Sequence, residues 1–198
     1  MFRVCLSFDN PRNSTGFRVQ LIEPLPITIL ADSYLAYVYH GIPKPPKELS
    51  ATQVPHRPPN PGEITLRVCA TGLNPMDTKL ASTTGIAGWM IDAAVHGATK
   101  AKGAGIVFGT DVFGVVIAIG ERVAKWKIGD QVFGLHLALD GNGTNQAYLN
   151  LSANSPIVPK PTSLSHVEAA SLPNVFFTSY TALVTYGGLD RNHDVNAH

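Results

Sequence analysis

The chain has 198 residues, of which 44% are hydrophobic and 15% charged, with a net charge of +1 at neutral pH. That is enough apolar material for one domain with a real core, and it gives no electrostatic footprint for nucleic acid or an anionic membrane. Two cysteines, Cys5 and Cys69, are too few for a disulfide scaffold or a four-thiolate zinc site, and no run approaches the roughly 20 apolar residues of a membrane helix. A reducing, cytoplasmic setting is therefore expected. The run 25–31 is short, broken by Pro26 and preceded by Glu23, so it does not read as a secretory signal. The 18 glycines and 15 prolines exceed the average combined usage of roughly 12%. They lie between short apolar runs, which points to turn-rich β structure.

Residues 1–33 hold no sustained period of 2 or 3.6 and are interrupted by Pro11, Pro24 and Pro26, so they read as an irregular extension. YLAYVYH, 34–40, predicts a first strand. The Pro-rich stretch 43–62 predicts loop or edge segments with little regular pairing. ITLRVCA, 64–70, alternates, with Ile64, Leu66, Val68 and Ala70 on one face of a half-buried strand. GLNPMD, 72–77, is a loop signal. In 78–107 a short helix over GWMIDAAVHGATKA is possible, although its glycines oppose it.

The stretch 109–134, GTDVFGVVIAIGERVAKWKIGDQVFG, carries two apolar β runs joined by a basic segment. Glycines fall at 109, 114, 120, 129 and 134. Strands interrupted so often are bulged, bent or closely approached by other backbone, as in a small bent barrel. A turn follows at 140–145, then an alternating run at 146–151. SHVEAASL predicts a helix opened by a capping box from Ser165 and Glu168. A second helix is predicted over 174–186, with Val175, Tyr180, Leu183 and Val184 apolar and a stop at Gly187 and Gly188. The last ten residues are polar and without period.

The order of these segments resembles the N-terminal half of the medium-chain dehydrogenases/reductases. PGEITLRVCATGLNPMD is similar to their strand and loop entering the active site, and 109–134 to their barrel signature. QAYLNL followed by VPKPTSLSHVEAASLPNVFFTSYTALVTYGGL is similar to the return strand and helices that lead to the nucleotide domain. The resemblance implies a mostly β fold with C-terminal helices, a GroES-like bent β-barrel, over 34–189. Residues 78–107 then form an insertion or variable loop and 190–198 a polar tail. Zinc alcohol dehydrogenases place Cys where this chain has Asn74, and a His-Glu pair at Thr110 and Asp111. Asn and Thr are poor zinc ligands, so no metal is expected. The pattern GLNPMD resembles the zinc-independent branch instead, the quinone oxidoreductases and enoyl reductases, which use NADPH on conjugated carbonyls or double bonds.

By that resemblance Asn74 and Asp77 line the nicotinamide side of the cleft, and Thr178, near the start of the last helix, is a further cofactor contact. Alternative readings stand beside these. Asn74 before Pro75 is also a turn residue, and Thr178 also a helix hydroxyl. Asp111 reads as structural, bonding local backbone N–H groups, and Asp130 as a turn residue. Trp126 and Phe133 read as core, Cys69 as a free structural thiol, and His96, His136 and His166 as surface or satisfied core. No Tyr lies between Asp77 and Asp111 to serve as proton donor, and the catalytic residue stays unassigned. No G-x-G-x-x-G occurs, so a Rossmann unit is expected to be absent from the chain. The expectation is the catalytic-domain portion of a longer NADPH-dependent oxidoreductase acting on a small molecule, inactive in isolation. An interaction module or a nonfunctional fragment is the alternative.

Overall fold

The computed structural model describes residues 32–39, 50–75, 77, 106–137 and 141–189. The helix considered within 78–105, the extension before residue 32 and the tail after 189 lie outside them. Eight strands come first: β1 Ser33–Tyr39, β2 Ser50–Pro55, β3 Glu63–Gly72, β4 Ile106–Val107, β5 Asp111–Ile119, β6 Gln131–Leu135, β7 Tyr148–Ser152 and β8 Ile157–Pro159. Helices α1 His166–Ser171 and α2 Pro173–Tyr180 follow, and α2 runs on into a π-helical turn, Thr181–Tyr186. Among the described residues no helix is long and apolar enough to cross a membrane.

The strands form two antiparallel sheets, one ordered β2-β1-β4 and the other β7-β3-β5-β6-β8. Neither closes on itself among the described residues, so the barrel is bent rather than sealed. Residues 145–147 stitch the sheets together. Tyr37 N donates to Asn145 O, Ala147 N to Leu35 O, and Val68 N to Ala147 O, at 2.9 to 3.1 Å. Within the Pro-rich stretch, residues 50–55 form an edge strand, as expected, but they pair more regularly than the prolines suggested. β2 holds register with β1 from Ser33↔Pro55 to Val38↔Ser50. The residues of β2 itself, SATQVP, carry one proline, at its last position, where the lost N–H falls at the strand end.

Alternation in β3 places Ile64, Leu66 and Val68 in the main core with Val112, Val116, Trp126, Val132, Leu149, Leu151 and Ile157. Ala70 departs from that face. The β3–β5 register shifts between Val68 and Ala70, and a bulge adds one residue, which reverses the side-chain phase. Ala70 therefore joins Phe113, Ala169 and Ala170 in a second cluster on the other face, against α1. Both faces of β5 are covered, which is why 111–114 are all buried. Val112 and Val116 face the main core, while Asp111 and Phe113 face the helices. Phe113 stacks on His166 with centroids 4.3 Å apart.

The glycines of 109–134 are close approaches more than flexible joints. A Cβ at Gly114 would stand 2.8 Å from Arg67 O, and one at Gly134 would strike Pro156 O. Trp126 is core, and its indole N–H donates to Ala153 O at 2.9 Å. Asp130 caps a turn by accepting from Lys127 N at 3.0 Å. Ser165 and Glu168 make the capping box reciprocally, at 3.2 and 2.8 Å. Gly187 and Gly188 end the helix as expected, with Gly188 at φ +68.

Candidate functional site

The loop after β3 enters the site at Asn74. Its backbone N–H donates to Asp77 Oδ2 at 2.8 Å, and Asp77 N returns to Asn74 O at 3.0 Å. This closed turn fixes both side chains, and both are buried, at 8% and 4% exposure. The turn reading of Asn74 and the site reading are thus compatible. Across from it stand Thr110, just before β5, and Asp111, its first residue. Asn74 Nδ2 donates to Asp111 Oδ2 at 3.0 Å and to Thr110 Oγ1 at 3.3 Å. The other oxygen of Asp111 accepts from Asn174 N at 3.0 Å. One carboxylate therefore joins a loop after β3 to the first turn of α2.

The backbone around β5 is shaped for this. Gly109 sits at φ +103, a left-handed conformation, and a Cβ there would collide with Thr144 Oγ1. Thr71 donates to Asp111 O at 2.8 Å and shares a 2.7 Å hydrogen bond with Thr144. Register puts Gly72 opposite Asp111. A Cβ at Gly72 would stand 3.1 Å from Asp111 Oδ2 and 2.7 Å from Ala170 O. The missing side chain admits both the carboxylate and α1.

Burial raises the pKa of both acids. Asp111 goes from 3.8 to about 6, because desolvation outweighs the hydrogen bonds from Asn74 and Asn174, and the charge of Asp77 adds to the rise. Asp77 is raised by burial too, against hydrogen bonds from Asn74 and Thr110. Among the described residues no Lys, Arg or His is ion-paired to either acid. The site is a neutral-donor network around two desolvated carboxyl groups.

Sequence reading named Asn74 and Asp77, and the structure brings them together. It leaves Thr178 apart. Thr178 is the sixth residue of α2, exposed, with no hydrogen bond to Asn74 or Asp77. Pro173 has no N–H to offer, and the N–H of Asn174 is taken by Asp111. Asp111 was expected to bond local backbone. Its partners are 37 and 63 residues away. The signal that could have found it is an acid beginning a strand that is otherwise apolar on both faces. Of the histidines, His136 bonds Asn142 O at 3.0 Å and His166 lies on Phe113. His96 lies outside the described residues. Cys69 is a half-buried free thiol, with burial pushing its pKa up.

A buried polar loop that faces a two-sided β5 and two short helices is the layout of a known domain. Residues 60–162 match the alcohol dehydrogenase GroES-like domain. The chain belongs to this family of medium-chain dehydrogenases/reductases. It is 35% identical over 134 residues to the mitochondrial NAD(P)H oxidoreductase RTN4IP1 of Bos taurus, a match that covers 67% of this chain and 33% of that protein. Its fold is similar to the quinone oxidoreductase of Coxiella burnetii, at 28% identity and a TM-score of 0.61, covering 77% of this chain and 44% of that one. It is similar also to the CurK enoyl reductase, at 26% identity and a TM-score of 0.57, covering 77% and 42%. The family is one of oxidoreductases, and the chain spans a third to under half of the length of these relatives.

Proposed function

We propose that residues 34–189 form the catalytic-domain portion of a zinc-independent, NADPH-dependent reductase of a conjugated carbonyl, quinone or enoyl substrate, working in the cytoplasm. The observation that carries this reading is the hydrogen-bonded set Asn74–Thr110–Asp111. These are the positions where zinc alcohol dehydrogenases hold metal ligands, and here the Asn74 amide donates to Thr110 and Asp111 instead. Among the described residues no three His, Cys, Asp or Glu side chains converge. A small-molecule substrate and the nicotinamide end of the cofactor fit the loop at Asn74. Bound there, NADPH would supply a hydride, and Asn74 would orient the ring end while the buried surroundings exclude water.

The phosphates fit poorly. The N-terminus of α1 is closed by the carboxylate of Glu168, and that of α2 by Pro173 and Asp111. At α2 the first position lacks an N–H and the second N–H is already bonded, so that terminus offers little to an anion. Tight cofactor binding therefore belongs to the remaining length that the relatives have, and the isolated chain is inactive. Titrating the purified chain with NADPH, alongside zinc analysis by mass spectrometry, tests both halves of the reading. Weak binding and no stoichiometric zinc are expected. A micromolar dissociation constant refutes the first half and one retained zinc per chain the second. A second reading, an interaction module, draws on the exposed apolar face of Val175, Phe176, Phe177, Tyr180 and Leu183. It predicts a stable protein partner and no reductase activity.

A further inference from the structure

An asparagine amide can present a donor or an acceptor, and which one faces a ligand depends on what holds the other half. Here the donor half is committed. Both acceptors of Asn74 Nδ2, Asp111 Oδ2 and Thr110 Oγ1, lie at the start of β5. Among the described residues no partner takes Asn74 Oδ1. The assignment follows from the network, since an ionised carboxylate accepts only and forces the NH2 group toward itself. The carboxylate cannot turn away either. Its second oxygen is fixed by Asn174 N, and Gly72 leaves just enough room beside it. Asp77, which accepts from Asn74 N, adds a second buried carboxyl group beside the same loop.

We propose that Asn74 is a pre-oriented hydrogen-bond acceptor, with Asp111 as its positioning residue, so that the site selects a neutral N–H or O–H donor and rejects an anion. The recognition half rests on the reading of the Asn74 loop as the ligand side of the cleft. The orienting half rests on the network alone. An amide turned by Asp111 carries no orientation penalty at binding. A carboxylate ligand would meet an oxygen lone pair on Asn74 and two buried acids behind it.

The test uses the full chain labelled with nitrogen-15, at pH 7.5, and two probes of one shape, nicotinamide and nicotinate. The Asn74 side-chain amide protons are expected to exchange with water about tenfold or more slowly than those of the exposed Asn154, the effect of one retained hydrogen bond. Nicotinamide at millimolar concentration is expected to shift the Asn74 and Asp77 signals, and nicotinate to leave them unchanged. Asp111→Asn supplies a single acceptor oxygen for two donors and lets the amide turn. It is expected to remove the slow exchange and to narrow the preference for nicotinamide. Thr110→Val, which removes the longer of the two bonds, gives a smaller change of the same sign and serves if Asp111→Asn does not fold. Exchange at Asn74 as fast as at Asn154 overturns the orienting role of Asp111. An equal or stronger response to nicotinate overturns the selectivity. Slow exchange with no response to either probe overturns the ligand reading of the loop and leaves the orienting role standing.

Discussion

Asp111 should leave a signature in the pH dependence of stability. Its carboxyl group is fully buried, with a pKa raised from 3.8 to about 6. Between those values the folded chain holds a proton that the unfolded chain has released, so stability falls as pH rises through this window. At about 1.4 kcal/mol per pH unit the loss is ~3 kcal/mol, an upper value for one group. Some other acids act oppositely. Glu63, held below its usual range first by its hydrogen bond to Arg57, stabilises the fold as pH rises. The useful quantity is therefore a difference. Asp111→Asn keeps the shape and stays neutral, so the stability of the variant minus that of the parent should climb by up to about 3 kcal/mol from pH 3.5 to 7. Urea unfolding followed by the fluorescence of buried Trp126 measures both proteins at each pH. Asp77 is raised by burial in both proteins, and the lost acceptor for Asn74 or Asn174 costs the variant about equally at every pH, so the pH dependence of the difference reports on Asp111. A difference curve that is flat, or that falls with pH, refutes the claim that Asp111 ionises at a cost in the folded chain.

Three further outcomes follow from the packing. Phe113→Ala empties the cluster between β5 and α1 and removes the stack on His166. Chemical denaturation should show a loss of about 3–5 kcal/mol, and a loss under 1 would mean that α1 does not pack there. Gly109→Ala forces a side chain into a left-handed backbone against Thr144, and a loss of about 2 kcal/mol or more is expected in a thermal melt. An unchanged melting temperature would contradict the observed turn. Trp126→Phe keeps the ring in the core but leaves Ala153 O without its donor. The expected loss is about 2 kcal/mol in urea, with the midpoint moved and the slope unchanged.

Much of the fold was legible because local chemistry and tertiary structure agree along it. Period-2 alternation in 64–70, the capping box of Ser165 and Glu168, and the glycine stop at 187–188 each name an element from a few neighbouring residues. The spacing of glycines in 109–134 already required bends and close approaches. Elsewhere distant partners decided the outcome. The phase reversal at Ala70 comes from a bulge between β3 and β5 that no alternation predicts. β2 exists because β1 offers it six paired positions, despite the prolines around it.

The candidate site divides in the same way. Asn74 and Asp77 lie three residues apart, and their loop chemistry can be read from GLNPMD. Asp111 could not be read so, because its meaning comes from partners 37 and 63 residues away. Thr178 could be placed near the start of a helix from sequence, but its exposure depends on where α2 starts and on what covers it. By itself the sequence determined the strand and helix chemistry, the family resemblance and the loop that carries Asn74. Only the tertiary structure decided which half of the Asn74 amide is free and which carboxylate holds it, because a buried hydrogen-bond network is a property of residues that folding alone brings within 3 Å.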